Sequence, residues 1–115
     1  MSRARPKASG QVGDAAPIFA ALGDATRLRL LLRLSSGEAA SIARLSAKTP
    51  VSRQAIRKHL DVLSRAGLVQ GSRRGREHLW QVRPGRINQA RGFLDSISRQ
   101  WDEALDRLKG FVEER

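Results

Sequence analysis

The stretch Ser52-Arg-Gln-Ala-Ile-Arg-Lys-His-Leu-Asp-Val-Leu-Ser-Arg-Ala-Gly-Leu-Val69 decides the fold, because it predicts a helix with a defined start, apolar face and end. Ser52 is a suitable N-cap for a helix over residues 53–65, and Gly67 is placed to end that helix at the C′ position. At about 100° per residue, the large apolar side chains fall in one arc of this helix and most charged side chains fall in the opposite arc. We therefore expect one face to pack on a core and the other to meet solvent or a ligand.

Three shorter helices are predicted upstream, over residues 15–22, 25–34 and 42–47. The second and third follow the N-cap residues Asp24 and Ser41. Pro50 disfavours helix at the residue before it, so a turn of four or five residues separates the third and fourth helices. This arrangement predicts a helix-turn-helix.

A β-hairpin is predicted after Gly67, with strands at residues 68–70 and 78–82. The connecting segment 71–77 holds two glycines and three arginines and contains no apolar residue. A long helix is predicted from about Arg86 to near the end of the chain. The expected fold is mainly α with a small β-hairpin wing, a winged helix-turn-helix with a long C-terminal dimerisation helix; several all-α alternatives fail on the hairpin segment.

The basic charge is concentrated in the first three quarters of the chain. The 115 residues carry a formal net charge of +11, and residues 1–86 hold 17 Lys/Arg against 5 Asp/Glu. Such a surplus favours a polyanionic partner, either nucleic acid or an anionic membrane surface. The predicted organisation is a disordered basic tail over residues 1–14, a DNA-binding domain over 15–83 and a dimerisation helix over 84–115.

The composition also excludes several classes of protein. There is no Cys, which excludes disulfides, zinc-thiolate sites and a cysteine nucleophile. No segment is long and apolar enough to span a membrane, and no signal-peptide core follows the basic start, so a cytoplasmic protein without membrane contact is expected. No combination of side chains suggests catalysis, so we expect neither an enzyme nor a bound cofactor.

The N-terminal end of the fourth helix is the candidate surface for contacting bases. Arg53, Gln54 and Arg57 cluster there, and in a helix-turn-helix this end enters the major groove. Arg can pair with guanine and Gln with adenine, whereas Lys58 and Arg65, further along, suit phosphate contacts. The alternative is an ordinary solvated face.

The hairpin tip carries Arg73, Arg74 and Arg76, which could follow the phosphate backbone or enter the minor groove, although a merely soluble tip would look alike. Trp80 is expected to pack on the core rather than to stack on a base. His59 falls within the apolar arc of the fourth helix, and we expect a packed, hydrogen-bonded His rather than a metal ligand or a pH switch.

The last helix carries an apolar stripe from Ile87 to Val112 that falls within an arc of roughly 120°. The stripe is too long for the preceding domain to cover, which indicates a partner, most simply a second copy in a symmetric dimer. Alternatives are a helix folded back on its own core or a cofactor or lipid cavity along Trp101. The predicted dimer surface comprises Ile18, Phe19, Leu22, Leu94, Ile97, Trp101, Leu105 and Leu108.

Three segments resemble the ArsR-type winged-helix repressors. Residues 22–31 (LGDATRLRLL) resemble the opening motif of that family, residues 52–69 its recognition helix, and residues 73–77 (RRGRE) its wing. Residues 101–109 (WDEALDRLK) look like the tail of a bacterial subgroup. The resemblance covers about residues 15–114.

This resemblance implies a homodimeric DNA-binding transcriptional repressor acting on double-stranded DNA. Carried over by position, its DNA-facing residues would be Ser52, Arg53, Gln54, Arg57, Lys58, Arg73, Arg74 and Arg76. Metal-sensing members use cysteines near the third and fourth helices, or His and acidic residues on the last helix. This chain has no Cys, and its last helix has no His, so no metal is expected and the inducer is unknown.

The resulting hypothesis is a sequence-specific regulator whose two recognition helices lie about 34 Å apart on a palindromic site. An architectural protein without sequence preference would show only a steep salt dependence of DNA binding. A winged-helix protein-interaction module would not bind DNA.

Overall fold

The computed structural model describes residues 8–113 and contains five helices and one β-hairpin over that range. The elements follow in the order α1 (Ala8–Leu22), α2 (Ala25–Ser36), α3 (Ile42–Ala47), α4 (Arg53–Arg65), β1 (Val69–Arg74), β2 (Glu77–Val82) and α5 (Pro84–Glu113). The order and type of every element match the winged helix-turn-helix expected from the sequence.

The hydrophobic core lies between α1, α2, α3, α4 and the base of the hairpin. Each large core side chain removes apolar area from water, which contributes about 1.5–3 kcal/mol per fully buried Leu or Ile. Eight large side chains are less than 2% exposed or at that limit: Ile18, Leu30, Leu45, Ile56, Leu60, Leu63, Leu68 and Val69.

The predicted caps fix where the helices start and stop. The Asp24 carboxylate accepts a hydrogen bond from the Arg27 N–H at 3.0 Å, and the Ser52 hydroxyl accepts one from the Ala55 N–H at 3.1 Å. Ser41 caps α3 in the same way. At the end of α4, Gly67 has φ +77°, and the Leu68 N–H donates to the Leu63 carbonyl at 2.9 Å. This Schellman geometry turns the chain from the recognition helix into the wing.

The hairpin is longer than the sequence predicted, because residues 71–74 and Glu77 belong to the strands rather than to a loop. The register pairs Val69 with Val82 and Arg74 with Glu77, which leaves a two-residue turn. Gly75 in that turn has φ +63°, as the first position of a type II′ turn requires. Strand pairing needs only backbone groups, so a polar segment can continue a ladder that begins in the core.

Helix α1 corrects the prediction of a disordered tail over residues 1–14. The helix begins at Ala8 rather than at residue 15, so residues 8–14 are helical; residues 1–7 lie outside the described range. Ala15, Ile18 and Ala21 are buried. Once this packed part fixes the helix, each added residue gains a hydrogen bond, which allows α1 to extend through weak helix formers.

Helix α5 begins at Pro84, two residues earlier than predicted. Proline lacks a backbone N–H, but the first N–H groups of a helix have no acceptor within the helix, so nothing is lost there. Its first turns pack on the domain: Ala90 is buried, and the Phe93 ring lies 5.9 Å from the Phe19 ring. Beyond this region the helix projects from the body, so the longest dimension of the molecule is 68 Å. None of the helices between residues 8 and 113 is long and apolar enough to cross a membrane.

Candidate nucleic-acid interface

The recognition helix α4 presents a polar face whose donors are available to a ligand. The side chains of Arg53, Gln54, Arg57 and Lys58 are all exposed, whereas Ile56 on the other side is fully buried. Within residues 8–113 these four polar side chains make no hydrogen bond or ion pair. Ser52 is exposed at the same end, where its hydroxyl caps the helix. The structure therefore brings the predicted base-contacting residues together on one surface.

Hydrogen bonds from Arg33 of α2 and from Thr49, just after α3, hold the turn before α4 against α3. The Arg33 guanidinium donates to the carbonyls of Leu45 at 3.2 Å and Arg44 at 3.0 Å, and the Thr49 hydroxyl donates to the Leu45 carbonyl at 2.7 Å. These bonds satisfy carbonyls of α3 that have no partner within that short helix. Periodicity alone gives no indication of this role for Arg33, because an arginine on a helix surface usually points to solvent.

A second polar contact joins α4 to the α1–α2 junction. Arg27 donates from Nε to the Ala21 carbonyl at 2.6 Å, and its Nη1 lies 3.4 Å from Nδ1 of His59. That His59 nitrogen also lies 3.8 Å from the Asp24 carboxylate. The Arg27 backbone N–H, together with the nearby Arg27 and His59 charges, lowers the pKa of Asp24. His59 is therefore a packed, hydrogen-bonded residue, as expected.

Residues 8–113 hold no cluster of three or more His, Cys, Asp or Glu side chains that could bind a metal ion. Asp24 and His59 are adjacent, but their other neighbour is the Arg27 guanidinium, which would repel a cation.

The wing carries three exposed arginines at its tip. Arg73 and Arg74 are exposed at the end of β1, and Arg76 is exposed in the turn. Trp80 is only 6% exposed and exchanges backbone hydrogen bonds with Ala40 at 2.9 Å, which attaches the wing to the α2–α3 connection. The prediction that Trp80 packs on the core is confirmed.

The apolar stripe of α5 is largely uncovered within one chain. Leu94, Trp101, Leu105 and Leu108 are between 49% and 64% exposed, and Ile97 is half-buried. On α1, Phe19 and Leu22 are half-buried and could still take part in an interface.

Ile18 does not belong to this surface, which corrects the sequence prediction. Its side chain is 2% exposed and is part of the core of the same chain. Helical spacing groups Ile18 with Phe19 and Leu22, but it cannot tell the side of α1 that faces α2 and α4 from the side that faces outward.

Two leucines of α2 add to the exposed apolar surface and escaped the sequence analysis. Leu28 is 43% exposed and Leu32 is 69% exposed, although α2 carries five leucines. Only Leu30 and Leu34 of α2 are fully buried. The other side of the helix faces away from α4 and the hairpin.

Comparisons with known proteins agree with this architecture. A family model described as a helix-turn-helix domain matches residues 22–71. The chain is 38% identical over 85 residues to the HTH-type transcriptional regulator Rv2034 of Mycobacterium tuberculosis, covering 74% of this chain and 76% of the relative.

Solved structures show the same fold. An ArsR-like transcriptional regulator from Rhodococcus sp. RHA1 superposes with a TM-score of 0.82 at 36% identity, covering 93% of this chain and 97% of the other. The homodimeric winged helix-turn-helix DNA-binding domain of Mb0332 from Mycobacterium bovis superposes with a TM-score of 0.61 at 22% identity. The match covers 90% of this chain and 92% of the other, and the two share the fold. The capped recognition helix, the wing and these likenesses together place the chain in the ArsR-type winged helix-turn-helix family of DNA-binding transcriptional regulators.

Proposed function

We propose that the protein is a homodimeric repressor that binds a palindromic operator through the major groove. The observation that carries this proposal is the exposed set of Arg53, Gln54 and Arg57 at the capped N-terminal end of α4, whose side chains make no hydrogen bond or ion pair among residues 8–113. Guanidinium and amide groups can pair bidentately with guanine and adenine, which gives discrimination among sequences. Repression is proposed because it is the activity that the resemblance to the ArsR-type repressors implies.

The wing and the middle of α4 supply the contacts that do not depend on sequence. Arg73, Arg74 and Arg76 at the hairpin tip and Lys58 on α4 are exposed cations. Such groups gain affinity by releasing counterions from DNA and fix the register of the protein on the duplex.

A second copy of the chain is the proposed occupant of the α5 stripe. Leu94, Ile97, Trp101, Leu105 and Leu108 would pack against the same residues of the partner, with Phe19 and Leu22 at the margin. A symmetric pair makes each apolar surface cover the other, and Mb0332, with the same fold, is homodimeric. The pair would present its two recognition helices about 34 Å apart, one turn of DNA.

Selection from a random duplex library tests this function directly. The purified protein is incubated with the library at physiological salt, and bound duplexes are amplified and sequenced over several rounds. We expect an inverted repeat whose half-site centres lie about 10 base pairs apart. Enrichment of a single unrepeated site would contradict the dimer, and a library without any enriched sequence would contradict specific recognition.

Transcription in vitro tests the sign of the regulation. A promoter template carrying the selected inverted repeat over its start site is transcribed with increasing protein, beside a template with a scrambled repeat. Fewer transcripts from the first template alone are expected. Increased transcription from it would contradict repression while leaving DNA recognition intact.

A further inference from the structure

A cleft lined by basic side chains lies away from the proposed base contacts of α4 and from the arginines of the wing. It has a volume of about 730 Å³ and forms where the end of α4, the base of the hairpin and the start of α5 meet. Its polar lining side chains include Arg65, Arg83, Arg86, Ser64, Gln70 and Gln89. Among the described residues that line it there is no Asp or Glu, so three guanidinium groups share the cleft without a carboxylate.

Two of these arginines have no partner in the described chain. The Arg86 side chain donates to the Gln89 side-chain oxygen at 3.1 Å, but the guanidinium groups of Arg65 and Arg83 make no hydrogen bond or ion pair within residues 8–113. The adjoining cavity, of about 170 Å³, places Asp14 near Arg65 and Arg86, yet not within ion-pair distance of either in the described structure. Cations that share a cleft repel one another, and a bound anion would relieve that repulsion.

The backbone around the cleft is anchored. The Arg83 N–H donates to the Leu68 carbonyl at 2.9 Å, which ties the start of α5 to the beginning of β1. The side chain of Arg86 lies across Gly67, where a Cβ would come within 2.9 Å of the Arg86 Cγ. Gly67 is therefore required both by its positive φ and by this close approach.

The first turn of α5 adds a smaller contribution to the attraction of an anion to this cleft. Arg83 precedes the helix, and its side chain cannot accept a hydrogen bond from the free N–H groups of Gly85 and Arg86. Gly85 and Arg86 line the same cleft, and the N-terminal end of a helix favours negative charge beside the guanidinium groups.

The position of the cleft argues against operator DNA as its occupant. Arg65 lies roughly 12 Å along α4 from Arg57, given a rise of 1.5 Å per residue. Gln70 and Arg83 belong to the base of the hairpin, whereas the arginines of the wing are at its tip. In both elements the cleft is therefore at the end opposite to the proposed base contacts and wing arginines, which argues against the phosphate contact that the sequence suggested for Arg65.

The other large cleft offers no comparable selectivity. It has a volume of about 750 Å³, lies between the α2–α3 connection and the outer face of the wing, and is lined by both cations (Arg44, Arg74) and carboxylates (Glu38, Glu77). Its mixed charges do not favour an anion over a cation.

We infer that the cleft at Arg65, Arg83 and Arg86 binds a small anion bearing a phosphate group, and that occupancy changes the affinity of the protein for DNA. Guanidinium groups pair with phosphate oxygens through charge-assisted, often bidentate hydrogen bonds. Coupling is expected because α4, which carries the base-contacting residues, meets α5 and, across the adjoining cavity, α1 at this point. The coupling rests on the proposed function, whereas the anion site does not.

Nuclear magnetic resonance of the full chain tests the site without DNA. Inorganic phosphate is titrated into ¹⁵N-labelled protein over the millimolar range at constant ionic strength, with chloride as the reference anion. We expect saturable shifts of the Gly67, Gly85 and Arg86 amides. In the Arg65→Gln/Arg83→Gln double variant the affinity for phosphate should fall by about tenfold or more, because two charge-assisted contacts are lost.

The Arg91→Gln/Arg99→Gln double variant provides the control of equal charge. Both arginines are exposed on α5 outside the cleft, so this variant should bind phosphate like the wild type. Shifts that grow linearly with phosphate, or that are equal in the two double variants, would overturn the site.

Titration of the selected operator, with and without phosphate, separates the two sources of a phosphate group. We expect phosphate to change the operator affinity of the wild type but not of Arg65→Gln/Arg83→Gln. If the double variant loses operator affinity and the wild type shows no saturable phosphate binding, the cleft holds DNA backbone and the inference is wrong. If phosphate binds and no duplex does, the anion site stands and the proposed function fails. If phosphate binds without changing operator affinity, the inferred coupling between the anion site and DNA binding is wrong.

Discussion

Arg57 lies one turn into the recognition helix, beyond the capped end, and its exposed guanidinium has no partner within residues 8–113. We therefore expect Arg57→Ala to reduce discrimination between the operator and a mutated operator by about 1–3 kcal/mol, because a bidentate base contact is lost. Competition binding with single-base operator variants measures this loss. An unchanged order of preference among those variants would mean that the base-contacting face lies elsewhere.

For Arg74 we propose the opposite kind of contact, to a phosphate rather than to a base. It is exposed at the end of β1, and we expect Arg74→Ala to weaken specific and scrambled duplexes by similar factors. The slope of log affinity against log salt should also fall by about 1, since one phosphate contact is lost. Arg99→Ala on α5 is the control and should leave the slope unchanged. A selective loss of operator binding in Arg74→Ala would instead assign this arginine to base recognition.

Asp24 gives the fold a defined dependence on pH. Its pKa is lowered chiefly by the hydrogen bond from the Arg27 backbone N–H, so its stabilising effect is present above the usual Asp range. That effect is lost as the pH falls through the lowered pKa of the folded protein. We expect Asp24→Asn to lower the thermal unfolding midpoint at pH 7 and to differ less from the wild type near pH 3. Asp61→Asn, at an exposed position of α4, is the control, and equal shifts at both pH values would contradict this account.

At the scale of elements, the uncovered stripe of α5 carries the strongest prediction. Leu105 is 55% exposed in one chain, so Leu105→Asp should leave the fold of the protomer intact. A charge there would be buried in the proposed dimer, and we expect a monomer by light scattering with unchanged helix content. Leu32→Asp on α2, also exposed, is a matched control for the added charge. A Leu105→Asp protein that stays dimeric would contradict an interface through α5.

The elements also show which features a single sequence can predict. The start and end of α4 follow from Ser52 and Gly67, because a cap and a left-handed residue are local requirements. The predicted start of α1 and the predicted length of the wing strands were wrong. They depend on packing against α5 and on backbone pairing between strands, which leave no pattern in the side chains.

At the scale of the candidate site, the sequence identified the exposed polar face of α4 but not the side-chain contacts that position that helix. The spacing of Arg53, Gln54 and Arg57 placed these residues on one polar arc, as the structure has them. It did not show that Arg33 bonds to α3 or that Arg27 contacts His59, because both contacts join helices that are distant along the chain. Nor could the helical spacing distinguish the buried Ile18 from the half-buried Phe19.

The whole molecule divides its charge and its apolar surface between two ends. The helix-turn-helix and the wing carry the excess of Lys and Arg, whereas the projecting part of α5 is nearly neutral and exposes large apolar side chains. This division fits a protein in which one end contacts a polyanion and the other a second copy of the chain.

Fluorescence anisotropy with the selected operator and a scrambled duplex of equal composition tests the central claim most directly. At physiological salt the account predicts that one dimer binds the operator at least about a hundredfold more tightly than the scrambled duplex. Equal, salt-sensitive affinity for the two duplexes would contradict a sequence-specific regulator and would make general DNA association the function of the basic surface.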